Sequence, residues 1–391
     1  MNKEYKFLVE LTKAYLYNEK TTLKEDINYT TLFNYAAAHN LLGVVYCAVN
    51  NSVNKNVISP AVFNQVKEKF FDVIYVSNLQ NEIANTAKNA LSRANIKFIP
   101  FKGIDIKKYF PIPESRIMGD IDILIDENDV IAAKDAMTKA GFTVKNESGP
   151  VWDYEQFNVK IEMHSNLLND SVDKQKVINY FLNAKDNATF CGCEGEFNNT
   201  FQFEYLIAHI AHHFHDYGAG IKLILDLAVM LKYANVDLKK VVSDLEIAGL
   251  GKFSKEILSV CFKWYGTGVC FNKDTQKTED FIVSFGAFGK SHRNNSAVVA
   301  RKDFEANKHT NPLAVKLRII FPPYSKLKTM PYIKFIYGKP YLTPIAWIYR
   351  IFYNLRHRKK SALNTATGLN DKKTIEQAKQ EFDFFKEIGL L

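Results

Sequence analysis

Long apolar segments are absent from this chain of 391 residues. No run of about 18 uncharged apolar residues occurs, although a helix needs roughly that length to cross a bilayer. The segment Met1 to Lys20 mixes charged residues through its apolar positions, which is not the pattern of a secretory signal. We therefore expect neither a transmembrane helix nor an amino-terminal signal sequence.

Cysteine is also scarce. The five cysteines include no Cys-x-x-Cys pair, and an odd number cannot all be joined in disulfides. We therefore expect reduced thiols and a cytoplasmic location. Cys191 and Cys193 flank a glycine but lack a second pair at the spacing of zinc ligands, so this segment is predicted to form a surface hairpin.

Acidic residues are missing from one long segment. Residues 306–370 contain no Asp or Glu but twelve Lys or Arg, more than the net charge of +9 that the whole chain carries. Aromatic residues are interleaved with these charges, a mixture that suits contact with a polyanion or with a membrane surface. An equally supported interpretation is that the aromatic residues fill a core while the basic cluster at 356–360 lies in solvent.

The remaining composition is that of an ordinary globular protein, long enough for two or three packed modules. Apolar residues recur every three or four positions in 1–94 and again in 171–305, which predicts helices, the second group lining an acceptor pocket. Residues 95–170 alternate short strands with a helix predicted at 130–140. We predict an α+β fold, a small mixed β-sheet between helical regions, followed by a basic, aromatic-rich region at 306–391.

Two aspartates stand one residue apart in the segment Arg116-Ile-Met-Gly-Asp-Ile-Asp-Ile-Leu-Ile125. Successive side chains of a strand point to opposite faces, so Asp120 and Asp122 should leave one exposed face together while the isoleucines enter the core. Carboxylates about 7 Å apart along a strand can share a pair of divalent ions, and their oxygen atoms favour Mg²⁺ or Mn²⁺. An isolated Asp-x-Asp is also common on solvated strands, so a catalytic interpretation requires a third acid.

The segment Asn158 to His164 supplies a third acid. Its apolar residues at 159, 161 and 163 alternate with polar residues at 160, 162 and 164. If this strand lies beside the first one, Glu162 emerges next to the aspartates and His164 lies on the same face. We predict Asp120, Asp122 and Glu162 as catalytic and metal-binding residues, with His164 in the same pocket.

A short strand that ends at Lys102-Gly103 precedes these acids. A strand, a glycine and a helix start together present backbone N–H groups that can bind a phosphate, and Lys102 adds a positive charge. The segment is therefore predicted to be a phosphate site.

Three histidines, His209, His212 and His213, share one face of the helix predicted at 201–217. They are interpreted either as metal ligands or proton carriers, or as polar residues hydrogen-bonded between helices. The glutamate of a metalloprotease motif is missing, so no metal is assigned to them. They remain candidate pocket residues, together with Asp226, which could orient one of the rings.

The order of these motifs along the chain is informative. It resembles the bacterial nucleotidyltransferase family of the DNA polymerase beta-like superfamily in Lys102-Gly103, Tyr109-Phe-Pro111, Arg116, Gly119-Asp120-x-Asp122 and Glu162-x-His164. The resemblance continues through the histidines and Asp226 to Arg318-Ile-Ile-Phe-Pro322 and to the segment around Pro344 and Trp347, so it covers most of the chain.

This resemblance implies a small mixed sheet with helices on one face and two Mg²⁺ or Mn²⁺ ions on the three acids. It also implies a nucleoside triphosphate substrate, ATP among the candidate donors, and nucleotide-binding residues at Lys102, Gly103, Arg116 and Gly119. Lys102 and Arg116 would neutralise phosphate charge. The superfamily's usual Gly-Gly or Gly-Ser pair is Lys102-Gly103 here, so its triphosphate contacts cannot simply be carried over.

Two hypotheses of function follow. In the first, the protein is a metal-dependent nucleotidyltransferase that attaches a nucleoside monophosphate to an acceptor hydroxyl and releases pyrophosphate. In the second, it is a noncatalytic scaffold that binds nucleic acid or a membrane surface through 306–370. The acceptor could be a small molecule, a glycan, a peptide or a nucleic acid, and the sequence does not distinguish among them.

Overall fold

The computed structural model describes residues 1–147, 149–168, 174–216, 218–286, 295–307, 317–318, 320–328, 330, 332–357 and 372–391. The chain divides into two compact units, Met1–Ser291 and His292–Leu391. Among the described helices, none is both long and apolar enough to cross a membrane. All five cysteines are free thiols.

Helices account for most of the first unit. They are α1 (Lys3–Tyr17), α2 (Tyr29–Ala38), α3 (Leu42–Asn50), α4 (Pro60–Arg93), α5 (Gly103–Ile106), α6 (Val130–Lys139), α7 (Gln175–Phe181), α8 (Asn199–Asp216), α9 (Ile221–Tyr233), α10 (Leu238–Ile247), α11 (Gly251–Tyr265) and α12 (Gln276–Phe285). At the starts of α1, α2 and α4, the side chains of Asn2, Asn28 and Ser59 accept a backbone N–H, which fixes where each helix begins. The helices predicted before residue 95 and at 130–140 are confirmed.

The strands of the first unit form one sheet of seven strands. They are β1 (Phe98–Phe101), β2 (Ile121–Ile125), β3 (Thr143–Asn146), β4 (Val151–Gln156), β5 (Val159–His164), β6 (Ala188–Cys191) and β7 (Glu194–Phe197). Their order is β3-β4-β5-β2-β1-β7-β6. The sheet is mixed, because β2 is antiparallel to β1 but parallel to β5, and β1 is parallel to β7. A mixed α/β architecture is therefore confirmed.

Strand alternation decides which face of the sheet is core. Ile121, Ile123 and Ile125 of β2 are fully buried in one cluster with residues of β5 and of the helices α4 and α6. The opposite face carries Phe101, whose ring lies 5.5 Å from that of Tyr205 in α8. Helices thus contact both faces of the sheet. The resemblance implied helices on one face, and this expectation is incomplete, because Phe101 provides an apolar contact for α8 on the second face.

The strands β6 and β7 lie beyond the predicted core of residues 95–170. They form the hairpin predicted at Cys191-Gly-Cys193, with Gly192 at φ +62° in the turn. The sequence does not predict that β7 pairs with β1, which extends the sheet by two strands. The two strands pair through Phe98 and Glu194. No local sequence pattern predicts this pairing, because it depends on tertiary packing.

The second unit contains α13 (Asn295–Asn307), α14 (Tyr324–Leu327), α15 (Thr343–His357) and α16 (Lys372–Glu387). Helices α13 and α16 share a small apolar cluster, and α15 packs against a second cluster through Ala346 and Trp347. The indole N–H of Trp347 donates to the carbonyl oxygen of Pro322 at 2.8 Å. Other aromatic residues are exposed, among them Tyr341 at 73% and Phe352 at 68%, so the two interpretations of this region each describe part of it. Of its basic residues, Lys308, Lys316, Arg358, Lys359 and Lys360 lie outside the described residues.

Candidate active site

A pocket of about 650 Å³ lies in the first unit, between the sheet and the helices α8 and α9. Its volume is in the range of small-molecule sites, roughly 300 to 1,000 Å³. Every residue predicted for the site lines it: Lys102, Gly103, Arg116, Gly119, Asp120, Asp122, Glu162, His164, His209, His212, His213 and Asp226. The structure therefore brings together residues that are up to 124 positions apart in the chain.

The two acids Asp122 and Glu162 are neighbours because β2 and β5 pair in parallel with these residues in register. Asp120 immediately precedes β2, and the amide of Gln80 in α4 donates to the carbonyl oxygen of Met118 at 3.1 Å, which holds the approach to the strand. The predicted adjacency of the three acids is thus present. The predicted exposure is wrong for Asp122, which is only 2% exposed, because flanking strands and the groups described next cover it.

His164 joins the acids on the pocket face. Its Nε2 lies 3.0 Å from Oδ1 of Asp122 and 3.6 Å from Oε2 of Glu162. Burial lowers the pKa of His164, but the hydrogen bond with Asp122 and then the contact with Glu162 outweigh this and raise it. The contact with His164 is also the main reason that the pKa of Glu162 is lowered.

These three side chains are able to hold a metal ion. One ligand atom from each of Asp122, Glu162 and His164 lies within 4.8 Å of the others. Both polar contacts to Asp122 involve Oδ1, and within the part of the chain that the structure describes, its Oδ2 accepts no hydrogen bond. Carboxylate oxygens suit Mg²⁺ or Mn²⁺, and an imidazole nitrogen is better matched to Mn²⁺ than to Mg²⁺. The donor set therefore fits a divalent cation.

Asp120 and Asp122 differ in their electrostatic environment. Burial, followed by the negative charges of Asp122 and Glu162, raises the pKa of Asp120 to about 6. Burial also acts on Asp122, but the positive charge of Lys102 and the contact with His164 lower the pKa of Asp122 overall. Negative charge is thus concentrated at this wall, where a cation would relieve it.

Lys102 contacts the acids directly. Its Nζ lies 2.7 Å from Oδ1 of Asp122. The backbone of Lys102 has φ +56° and ψ −128°, a conformation that glycine adopts readily and a side chain rarely does. Such strain costs about 1 to 3 kcal/mol and is commonly found at functional sites. The lysine thus occupies a backbone position suited to glycine.

Gly103 is required by its neighbour Arg116. A Cβ atom at position 103 would lie 2.7 Å from Nη1 of Arg116, which donates to the Gly103 carbonyl oxygen at 3.2 Å. The same guanidinium donates to both carboxylate oxygens of Asp226, at 2.8 and 2.9 Å. Arg116 is therefore already engaged in a buried bidentate ion pair, and its predicted contact with phosphate stays a prediction.

The histidines of α8 form the helical side of the pocket. Nε2 of His209 and Nε2 of His213 are 3.0 Å apart. Burial lowers the pKa of His213 to about 3 and that of His209 well below its usual value. Both rings are therefore neutral near pH 7, and one donates its hydrogen to the other. The choice between a packing role and a pocket role for them stays open.

One charged residue of the pocket lining, Lys222 in α9, was not predicted. It lies four positions before Asp226 on the same helix, and therefore on the same helical face. Burial lowers the pKa of Lys222 to about 8, and the charge of Arg116 lowers it as well. The spacing from Asp226 is the one sequence signal that could have identified it.

Comparison with known proteins is consistent with this geometry. A family model described as "Uncharacterised nucleotidyltransferase" matches residues 25–266, a range that contains every pocket residue named above. No curated protein and no solved structure matches the chain significantly. Because the family match spans more than half of the chain, the protein belongs to this nucleotidyltransferase family.

Proposed function

We propose that the protein is a metal-dependent nucleotidyltransferase that transfers a nucleoside monophosphate from a nucleoside triphosphate to an acceptor hydroxyl. The main support is the register of β2 with β5, which places Asp122 beside Glu162 in a pocket. The residues of this pocket lie within the range that the family model matches. The mixed sheet with an Asp-x-Asp strand beside the third acid supports a polymerase beta-like core. A cytoplasmic location stays a prediction from the cysteines.

The reaction forms a bond between the acceptor oxygen and the α-phosphorus while the bond from that phosphorus to the bridging oxygen breaks. The electron pair of the broken bond leaves with pyrophosphate, and Glu162 is the proposed acceptor of the hydroxyl proton. Asp120, Asp122 and Glu162 would hold divalent ions, with His164 as a further ligand atom. When bound, such ions polarise the phosphate and lower the pKa of the attacking hydroxyl.

The experiment that tests this proposal is calorimetric titration of the protein with ATP, GTP, CTP and UTP, with and without Mg²⁺ or Mn²⁺. We expect metal-dependent binding of at least one triphosphate, and pyrophosphate release when a cell lysate supplies the acceptor. Asp120→Asn should lose both, because it removes a proposed metal ligand.

Asp135→Asn is the matched control, because Asp135 is exposed on α6 and outside the pocket. It should bind and turn over like the wild type. Absence of triphosphate binding in the wild type under every metal condition would sink the transferase proposal and favour the noncatalytic scaffold.

We propose a second function for the second unit, which is binding to an anionic membrane surface. Ile345, Ile348 and Phe352 lie three and four positions apart on one face of α15 and are 56%, 59% and 68% exposed. The opposite face packs on the unit's own apolar cluster. An exposed apolar stripe in a segment that has twelve basic and no acidic residues fits the boundary of anionic lipids.

Co-sedimentation with vesicles tests the membrane proposal. Vesicles containing phosphatidylserine should bind the protein, vesicles of phosphatidylcholine alone should bind it weakly, and added salt should weaken the binding. Ile348→Glu with Phe352→Glu should abolish it, whereas Ile131→Glu, at an exposed isoleucine of the first unit, should not. Vesicle binding that survives the double substitution, or salt-sensitive binding to RNA and not to vesicles, would contradict the proposal.

A further inference from the structure

The lysine of α9, Lys222, is held in place by the start of its helix. The backbone N–H of Ile221 donates to Nδ1 of His39 at 3.2 Å, and His39 is itself fully buried at the end of α2. One turn later, Asp226 fixes the same helix to Arg116. Lys222 therefore projects from a segment anchored on both sides.

Asp226 lies four positions after Lys222, a spacing at which two residues of a helix can form an ion pair. Both of its oxygens already accept from Arg116, and within the described residues Lys222 makes no hydrogen bond and no ion pair. Its side chain nevertheless lines the pocket, close enough to Asp226, and then to Asp120 and Asp122, for their charges to raise its pKa against the effect of burial. Lys222 is partly buried, and a partly desolvated ammonium with no acid bound to it favours an anion in this pocket.

The other basic residues that line the pocket are already neutralised. Lys102 is paired with Asp122, and Arg116 is paired with Asp226. Among the described lysines and arginines of the pocket, Lys222 alone presents a positive charge with no acid bound to it. A negatively charged ligand that enters the pocket between the sheet and α9 would therefore contact the ammonium group of Lys222.

We propose that Lys222 binds the β- and γ-phosphates of the donor, the part that leaves as pyrophosphate. The inference rests on the proposed transferase function and assigns a subsite within it. The acids would hold the reacting phosphate at the sheet through divalent ions, so the remaining phosphate charge needs a separate cation, and an ammonium group serves as a point charge for phosphate. Lys222 keeps its proton throughout and stabilises the charge that collects on the leaving oxygen.

The test uses inorganic tripolyphosphate as the probe, because it carries the phosphate chain without a base or a sugar. Titrations in the presence of Mn²⁺ should show that Lys222→Gln binds tripolyphosphate and the preferred triphosphate at least about tenfold more weakly than the wild type. Binding of the corresponding nucleoside monophosphate should not change, because it lacks the β- and γ-phosphates. Lys222→Arg, which keeps the charge, should retain most of the affinity.

Two controls make the result decisive. Lys232→Gln removes a lysine from the same helix that lies outside the pocket, over the ring of Tyr17, and should bind like the wild type. Loss of a charge that has no acid bound to it should not unfold the protein, and thermal unfolding of Lys222→Gln checks this.

Unchanged tripolyphosphate affinity in Lys222→Gln would overturn the assignment of Lys222 and leave the transferase proposal standing. An equal loss of affinity for monophosphate and tripolyphosphate would also overturn it, because the lysine would then act on the reacting phosphate. A wild type that binds no triphosphate at all would overturn the transferase proposal and the subsite together.

Discussion

The two walls of the pocket handle charge in opposite ways. The sheet wall consists of Lys102, Asp120, Asp122, Glu162 and His164, and its charged groups contact one another at about 3 Å or are close enough to shift each other's pKa. The helical wall consists of His209, His212, His213, Lys222 and Asp226, where two of the rings are held neutral by burial and one lysine has no acid bound to it in the described structure.

This difference separates two tasks. An acidic wall attracts cations, and a wall with an ammonium that has no acid bound to it attracts anions, so the metal–nucleotide complex of the proposed reaction, which carries both charges, would fit between them. The walls come from different levels of structure, since the sheet wall follows from strand alternation and the helical wall from packing of helices. Substitutions that remove or neutralise a group in one wall should show whether binding of cations and binding of anions depend on different walls.

The largest effect is expected for Asp122→Asn, which removes the central charge of the sheet wall. Turnover should fall about 1,000-fold or more, because a neutral amide holds a divalent ion poorly at the point where phosphate charge develops. Pyrophosphate release measures the loss, and Asp135→Asn should leave it unchanged. Turnover within tenfold of the wild type would remove Asp122 from the proposed mechanism.

The next largest effect is expected at the one acid of the helical wall. Asp226→Asn leaves the buried guanidinium of Arg116 without a charged partner, which should lower the free energy of unfolding by about 3 to 5 kcal/mol. Urea unfolding measures this, and Asp135→Asn should lie within about 0.5 kcal/mol of the wild type. A loss below 1 kcal/mol would show that Arg116 finds other partners.

A smaller effect is expected from acid acting on the histidines of the helical wall. The folded-state pKa values of His209 and His213 lie below that of an unfolded histidine, so the unfolded chain binds more protons as the pH falls through about 6.5. The contribution of these histidines to the free energy of unfolding is therefore fully present above that pH and is lost below it, by about 2 kcal/mol per histidine at pH 5.

Urea unfolding at pH 7.5, 6 and 5 tests this dependence. The double variant His209→Gln/His213→Gln should lose less stability between pH 7.5 and pH 5 than the wild type does. Parallel pH profiles of the two proteins would mean that the rings titrate normally, and the contrast between the walls would weaken.

The smallest effect concerns the backbone of Lys102. Lys102→Gly and Lys102→Ala both remove the ammonium beside Asp122, but glycine alone relieves the positive φ. The glycine variant should therefore be more stable than the alanine variant by about 1 to 2 kcal/mol, the reverse of the usual order. Denaturant unfolding of the two variants measures the difference, and an alanine variant as stable as glycine would show that the turn relaxes.

Much of the sheet wall could be predicted from the sequence because it depends on local alternation. The apolar residues of β2 and β5 alternate with Asp122, Glu162 and His164, and this pattern predicts their common face. The roles assigned to these residues stay predictions. The burial of Asp122 could not be predicted, because Lys102 and the neighbouring strands that cover it belong to other segments.

The helical wall was less predictable because it depends on long-range packing. Arg116 and Asp226 are 110 positions apart, and the local sequence around either residue does not predict their ion pair. Lys222 gains its significance only because that pair occupies Asp226. The pairing of β7 with β1 likewise joins distant segments, which is why the predicted core of residues 95–170 omits two strands.

The ion pair between Lys102 and Asp122 has a consequence for the protein before any ligand is present. Because an ammonium from its own chain lies against the most buried acid of the sheet wall, the acidic cluster does not need an external cation to stay together. Folding would thereby not depend on metal supply, in contrast to small domains whose structure collapses when a chelator removes the ion. A newly made chain would reach its final shape in a metal-poor environment, and the ions of the proposed reaction would bind afterwards.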